Sequence, residues 1–180
     1  MLRSTRFPVV ELSGTPYAMG LAHGRQCRAL IRRLLRKFDD IVLPAAYQEA
    51  GRIMVREAMP IVREHAPDLY EETEGIAAGA GLAVEDVFRL NCSSELHAWR
   101  GCQDLAAVNT VADGCTSMTV EHEGSSLVAW NMDWWTVWQP FLVLLHGQPA
   151  HGPRFLAVAF AGCIGRPGLS ESIAVSANYL

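Results

Sequence analysis

The residues best suited to chemistry lie around Cys115. Gly114 precedes it, Thr116 and Ser117 follow it, and Asn131-Met132-Asp133 ends eighteen residues further on. A thiol at the start of a strand is weak evidence by itself, because free cysteines are among the most often buried residues. Its neighbours change the reading. Gly114 has no Cβ, so its backbone can adopt strained conformations and its carbonyl is open to approach. Thr116 and Ser117 add hydroxyls. Glu123-Gly124 reads as a hairpin turn between Thr116–His122 and Ser126–Asn131, and a hairpin brings the chain back to where it began, which would put Asp133 beside Cys115.

The elements that must hold these residues fall into two regimes. From Tyr17 to about Arg100 the apolar residues recur three or four apart, as in Met19, Leu21, Ala22, Cys27, Leu30, Ile31, Leu34, Leu35 and Phe38, which predicts helices. Pro44 stops the first of them, and Pro60 interrupts the second. Leu69–Ala80 is the third, ending at Gly79 and Gly81. Val84–Trp99 is the fourth, with Glu85 and Asp86 in its first turn, where the helix dipole favours anions. After Cys115 the period becomes that of strands. Phe141–Leu145 (FLVLL) and Phe155–Phe160 (FLAVAF) are apolar without a break, which predicts cover on both faces. Ser172–Tyr179 is the last strand. A helical front followed by closely spaced strands implies an α+β chain with sheets packed between other layers.

Composition narrows the class further. The chain has 180 residues and a net charge of −4, enough for one domain with a real core and contrary to a nucleic-acid partner. Mean hydropathy is +0.12, yet no apolar run reaches the length that spans a bilayer. The start MLRSTRFPVVELSG has a short apolar stretch broken by Pro8, so no signal peptide is read and a cytoplasmic location is expected. Thirteen of the fifteen Lys and Arg precede Cys115, with Arg25, Arg28, Arg32, Arg33, Arg36 and Lys37 interleaved with apolar residues. This pattern reads as a solvated helix face rather than a membrane-binding one. Five widely spaced cysteines without a CxxC suggest neither a disulfide framework nor a zinc site. Four of them (Cys27, Cys92, Cys102 and Cys163) are expected to be small buried hydrophobes. Asn91-Cys92-Ser93 matches a glycosylation sequon only formally. The six histidines have scattered spacing and no HExxH.

Four segments in order resemble a known family. DGCTS, then a hairpin and NMDWW, is similar to the acyl-coenzyme A:6-aminopenicillanate acyltransferase family of cysteine N-terminal-nucleophile enzymes, more distantly related to the bile-salt and penicillin V hydrolases. GTPYAMGLAHG (14–24) resembles that family's N-terminal signature. EETEGIAAGAGLAVEDVFRLNCSSEL (71–96) resembles the helical segment before its nucleophile. SESIAVSANYL resembles the strand that bears an oxyanion-hole asparagine.

The resemblance implies a fold and a chemistry. The fold would be a helical pro-segment, 1–114, followed by the first portion of an αββα catalytic sandwich, 115–180. The family continues for a comparable length beyond, including a second sheet and a further catalytic asparagine, so another part of the protein or a second copy would supply the rest. The chemistry would be self-cleavage at Gly114–Cys115, which frees the Cys115 α-amine. With a pKa near 8, that amine can act as base for its own thiol, so no cofactor, metal or histidine is required. Asp133 would hold the amine, Asn178 would stabilise the oxyanion, and Asn131 and Thr116 would support the site. Trp130, Trp134 and Trp135 would wall an acyl pocket or else pack between layers. The substrate would be a small-molecule amide or an acyl donor such as acyl-coenzyme A. Trp130 stands where the bile-salt hydrolases carry an arginine, so their preference for anionic substrates is not carried over. Two other classes compete. One is a non-catalytic binding domain on the same fold, with an uncleaved chain. The other is a redox-sensing thiol protein in which Cys115 pairs with Cys102 or Cys92.

Overall fold

The structure is a computed structural model that describes residues 7–103, 114–133, 136–165 and 168–176. It opens on a strand the helical reading passes over. In β1 (Val9–Gly14) Val10 and Leu12 are buried while Val9 and Glu11 face out, the period-two alternation of a half-buried strand. Gly14 then turns at φ +100°. Thr15 caps α1 (Pro16–Ile41) by accepting from the Ala18 N–H, and Pro16 begins the helix, where its missing N–H costs nothing.

Of the predicted α1 stripe, Met19, Cys27, Ile31, Leu34 and Phe38 are buried, and His23, which the apolar pattern does not include, is buried with them. The helix ends before Pro44, which opens α2 (Ala45–His65). Pro60 does not interrupt α2, which continues through it and so forgoes one backbone bond, to the Arg56 carbonyl. Tertiary contact compensates, since Ala58, Met59 and Val62 around it all pack against the core.

The helix α3 (Pro67–Ala80) lies against α1 with backbone touching backbone. Gly20 and Gly24 on α1 face Gly75 and Gly79 on α3, and a Cβ at any of the four would collide with the facing backbone, such as the Glu72 carbonyl at Gly20 and the Leu21 carbonyl at Gly79. Gly79 is therefore an interface residue inside the helix and does not end it. Gly81 does, at φ +65°, with the Leu82 N–H returning to the Ala77 carbonyl as in a Schellman end. The carbonyls left free at that end draw in two members of the basic cluster. Arg28 donates to Gly79, and Arg32 to Ala80 and Gly81, cations placed where the helix dipole is negative.

The predicted fourth helix is two helices, α4 (Val84–Asn91) and α5 (Ser93–Gln103), broken at Cys92. Asn91 at the break is committed elsewhere. Its amide donates to the Val87 and Gly162 carbonyls and its oxygen accepts from the Ile164 N–H. Arg89 on α4 is almost fully buried and pairs with Asp39 and Asp86.

The strands β4 (Leu142–Pro149), β5 (Phe155–Phe160), β6 (Gly168–Ser170) and β7 (Ala174–Val175) join β1 in a five-stranded sheet of order β1-β4-β5-β6-β7. β1 pairs parallel to β4, and the other neighbours are antiparallel. One sheet face, Val10, Leu12, Val143, Leu145, Ala157 and Ala159, is buried, and α1 packs against this sheet. On the other face Leu144, Leu156 and Val158 are half-buried and Val9 and Leu169 exposed. Continuous apolar runs predict cover on both sides; the second layer is not among the described residues.

A separate two-stranded sheet is formed by β2 (Gly114–His122) and β3 (Ser125–Asp133). Its turn falls at Glu123-Gly124, with φ of 48° and 78°, the two positive values that a tight two-residue hairpin loop demands. The α+β class read from the sequence is what the chain adopts. Among the described residues no helix is long and apolar enough to cross a membrane.

Candidate functional site

The hairpin gathers most of the predicted residues. Its register sets Gly114 opposite Asp133, Cys115 opposite Met132, Thr116 opposite Asn131 and Ser117 opposite Trp130. Cross-strand partners share a face and neighbours along a strand alternate. Gly114, Thr116, Asn131 and Asp133 therefore lie on one face, and Cys115, Ser117, Trp130 and Met132 on the other.

The two faces differ in environment. Thr116, Met118, Val120, Leu127, Asn131 and Asp133 are exposed, whereas Cys115, Ser117, Trp130 and Met132 are half-buried, and Met132 packs against the main core. The thiol thus shares the sheltered face with an indole and a thioether. The carboxylate sits across the strand from it, not against it.

On its own face Asp133 is held at one oxygen and, among the described residues, has no hydrogen-bond partner at the other. The Asn131 side-chain amide donates to Asp133 Oδ1 at 2.8 Å. Oδ2 lies over Gly114, 3.4 Å from where a Cβ of that residue would stand. Oδ2 is therefore close to Gly114, on the face of the hairpin opposite the Cys115 side chain. Hairpin return alone predicts closeness of Asp133 to Cys115; the register adds which atoms can meet.

Three predicted site residues, Trp134, Trp135 and Asn178, lie outside the described residues. Among the described residues no three of His, Cys, Asp and Glu converge as metal ligands would. A shallow groove lined by His146, Arg154, Leu156, Leu169 and Glu171 lies on the five-stranded sheet and includes none of the predicted residues.

The remaining thiols behave differently from one another. Cys27 is buried, and burial pushes its pKa up to about 11. Cys92 is half-buried, raised to about 11 by burial and then by the negative charge of Glu95. Cys163 is buried and donates to the Leu90 carbonyl. Cys102 is exposed, against the expectation of a buried hydrophobe, because the end of α5 carries it away from the core.

One residue the spacing gave no reason to single out is built deeply into the fold. His23 on α1 is fully buried and its Nε2 accepts from the Gly162 N–H at 3.0 Å. The proton must then sit on Nδ1, which has no partner among the described residues. Burial lowers the pKa to about 4, so the ring is neutral at pH 7. With Asn91 it ties down the turn after β5.

Known proteins bear on the same region. No family model matches the chain. It is 25% identical over 172 residues, 94% of its length, to the acyl-coenzyme A:6-aminopenicillanic-acid-acyltransferase 40 kDa form of Emericella nidulans. It is 24% identical over 134 residues, 73% of its length, to the β-alanyl-dopamine/carcinine hydrolase of Drosophila melanogaster. It is also 27% identical over 108 residues to protein dcd1A of Dictyostelium discoideum. The chain spans 46% of the first relative's length and 34% of the second's. The resemblance carried by the motifs to an acyltransferase-like family, one that includes hydrolases, thus extends over nearly all of this chain.

Proposed function

We propose that this chain is the nucleophile-bearing part of an autoprocessing cysteine amidohydrolase or acyltransferase that acts on a non-peptide amide bond, with Cys115 as nucleophile. The observation that carries the reading is the position of Asp133. Its Oδ2 lies over Gly114, the residue before Cys115, and an N-terminal amine at residue 115 needs a carboxylate partner close by.

Processing begins when the Cys115 sulfur attacks the Gly114 carbonyl. A C–S bond forms, the C–N bond breaks, and the thiol proton passes to the departing nitrogen. Water then hydrolyses the thioester, which returns the thiol and leaves a carboxylate on Gly114. The products separate residues 1–114 from a chain that begins at Cys115.

The freed amine then acts as general base toward its own thiol. Asp133 accepts a hydrogen bond from the amine and fixes its direction. The thiolate adds to the substrate carbonyl and Asn178 donates to the oxyanion, an interaction whose loss typically costs about 3–4 kcal/mol. The leaving amine takes the proton, and water or a second nucleophile takes the acyl group. Trp130, on the thiol's side of the hairpin, lines the acyl site with Trp134 and Trp135. The substrate is a small amide or an acyl donor such as acyl-coenzyme A, and the setting is cytoplasmic.

Intact mass with N-terminal sequencing of the full-length gene product tests this. Wild type should give a chain that begins Cys-Thr-Ser-Met, and Cys115→Ala should stay whole. A folded wild type that remains whole would favour a binding domain on the same fold. A diamide-induced disulfide at Cys115 would favour redox sensing.

A further inference from the structure

We propose that Asn131 is a positioning residue that anchors one oxygen of Asp133 so that the other is presented to the Cys115 α-amine. This rests on the reading of Cys115 as an N-terminal nucleophile. Asn131 and Asp133 are two apart on β3, so their side chains leave the same face. The amide of Asn131 donates to Oδ1 at 2.8 Å while Oδ2 lies over Gly114.

The need for such an anchor follows from exposure. Asp133 is on the open face of the hairpin, where an untethered carboxylate would sample several rotamers and spend only part of its time toward the amine. An amide N–H is a suitable tether because it donates without competing for the protons of the amine. It also leaves Oδ2 free to accept, and an ammonium at residue 115 would bring three donors. A purely structural role fits less well. The backbone ladder already pairs Asn131 with Thr116, and the Asn131 side chain is exposed, so its removal should leave stability within about 0.5 kcal/mol.

A double-mutant cycle separates the two roles. Wild type, Asn131→Ala, Asp133→Ala and the double variant are made as full-length proteins, and intact mass confirms that each begins at Cys115. Turnover is measured on the N-acetyl and N-hexanoyl amides of aminomethylcoumarin, and unfolding in urea. Asn131→Ala alone should lower kcat on the order of tenfold, the scale of a misoriented reacting group, with KM within about twofold and an unchanged urea midpoint. In the Asp133→Ala background the same change should cost nothing more. Asn131→Asp, isosteric but without the donor, should be at least as slow as Asn131→Ala. An equal fold loss in both backgrounds, an effect on KM alone, or no effect would overturn the proposal. A wild type left whole at Gly114–Cys115, or cleaved but inactive on both amides, would overturn the parent reading and this one with it.

Discussion

His23 and Glu72 should give this protein opposing pH dependences that single substitutions unmask. Burial lowers the His23 pKa from 6.5 to about 4 and raises that of Glu72 from 4.5 to about 7. For His23 the unfolded chain binds the extra proton between pH 6.5 and 4, so its contribution is full above 6.5 and is lost as pH falls toward 4. For Glu72 the folded chain binds the extra proton between pH 4.5 and 7, so its contribution is full below 4.5 and is lost as pH rises through 7. Each slope is about 1.4 kcal/mol per pH unit, and each integrates to about 3 kcal/mol over its window. Between pH 4.5 and 6.5 the two cancel. His23→Gln keeps an acceptor for the Gly162 N–H and removes the titration, so it should become more stable relative to wild type as pH falls from 6.5 to 4.5. Glu72→Gln should show the mirror image and lose stability relative to wild type over the same range. Urea unfolding at half-unit pH steps reads both, and differences from wild type cancel the other carboxylates. Parallel curves for all three proteins between pH 4.5 and 6.5 would refute the reasoning.

Other perturbations test the helices and the site. Gly24→Ala or Gly79→Ala drives a methyl into the facing backbone and should cost at least about 2 kcal/mol, read as a lower melting temperature; an unshifted melt would mean that α1 and α3 do not touch there. Arg28→Ala should cost about 1 kcal/mol by freeing the Gly79 carbonyl, measured in urea at low salt. Pro60→Ala supplies the missing N–H inside α2 and should stabilise by about 1–3 kcal/mol, with a lower melting temperature as the contrary result. Asp133→Asn should fold and unfold like wild type but turn over more slowly, since an amide orients an amine less well than a carboxylate does; normal turnover in a processed protein would remove the role given to Asp133.

Local patterns made a good part of this molecule legible. The buried stripe of α1, the hairpin turn at Glu123-Gly124 and the span of β5 all come from periods and turn residues that act within a few positions. The same local view misjudged residues whose partners are far away in the chain. Gly79 reads as a helix stop until Gly24, 55 positions earlier, is seen to need its missing side chain. Pro60 reads as a break until the contacts around it are counted in. Arg28 and Arg32 are exposed, as a solvated face requires, but that pattern does not show that they reach the carbonyls at the end of α3.

For the site, strand period and turn type, which are local properties, made a hairpin of Thr116–His122 and Ser126–Asn131 legible, with the glycine–cysteine pair just before one strand and the aspartate just after the other. The folded strands extend to include all three, as Gly114–His122 and Ser125–Asp133. The sequence by itself could not decide which atoms meet. A shift of one residue in register would pair Cys115 with Asp133 and put both on one face; the folded pairing of Gly114 with Asp133 puts the carboxylate over Gly114 and the thiol on the opposite, sheltered side. Nor could it find the tie from His23 to Gly162 across 139 positions, or the parallel pairing of β1 with β4. Contacts of that range depend on how helices and sheet close on one another, and no periodicity within a segment encodes them.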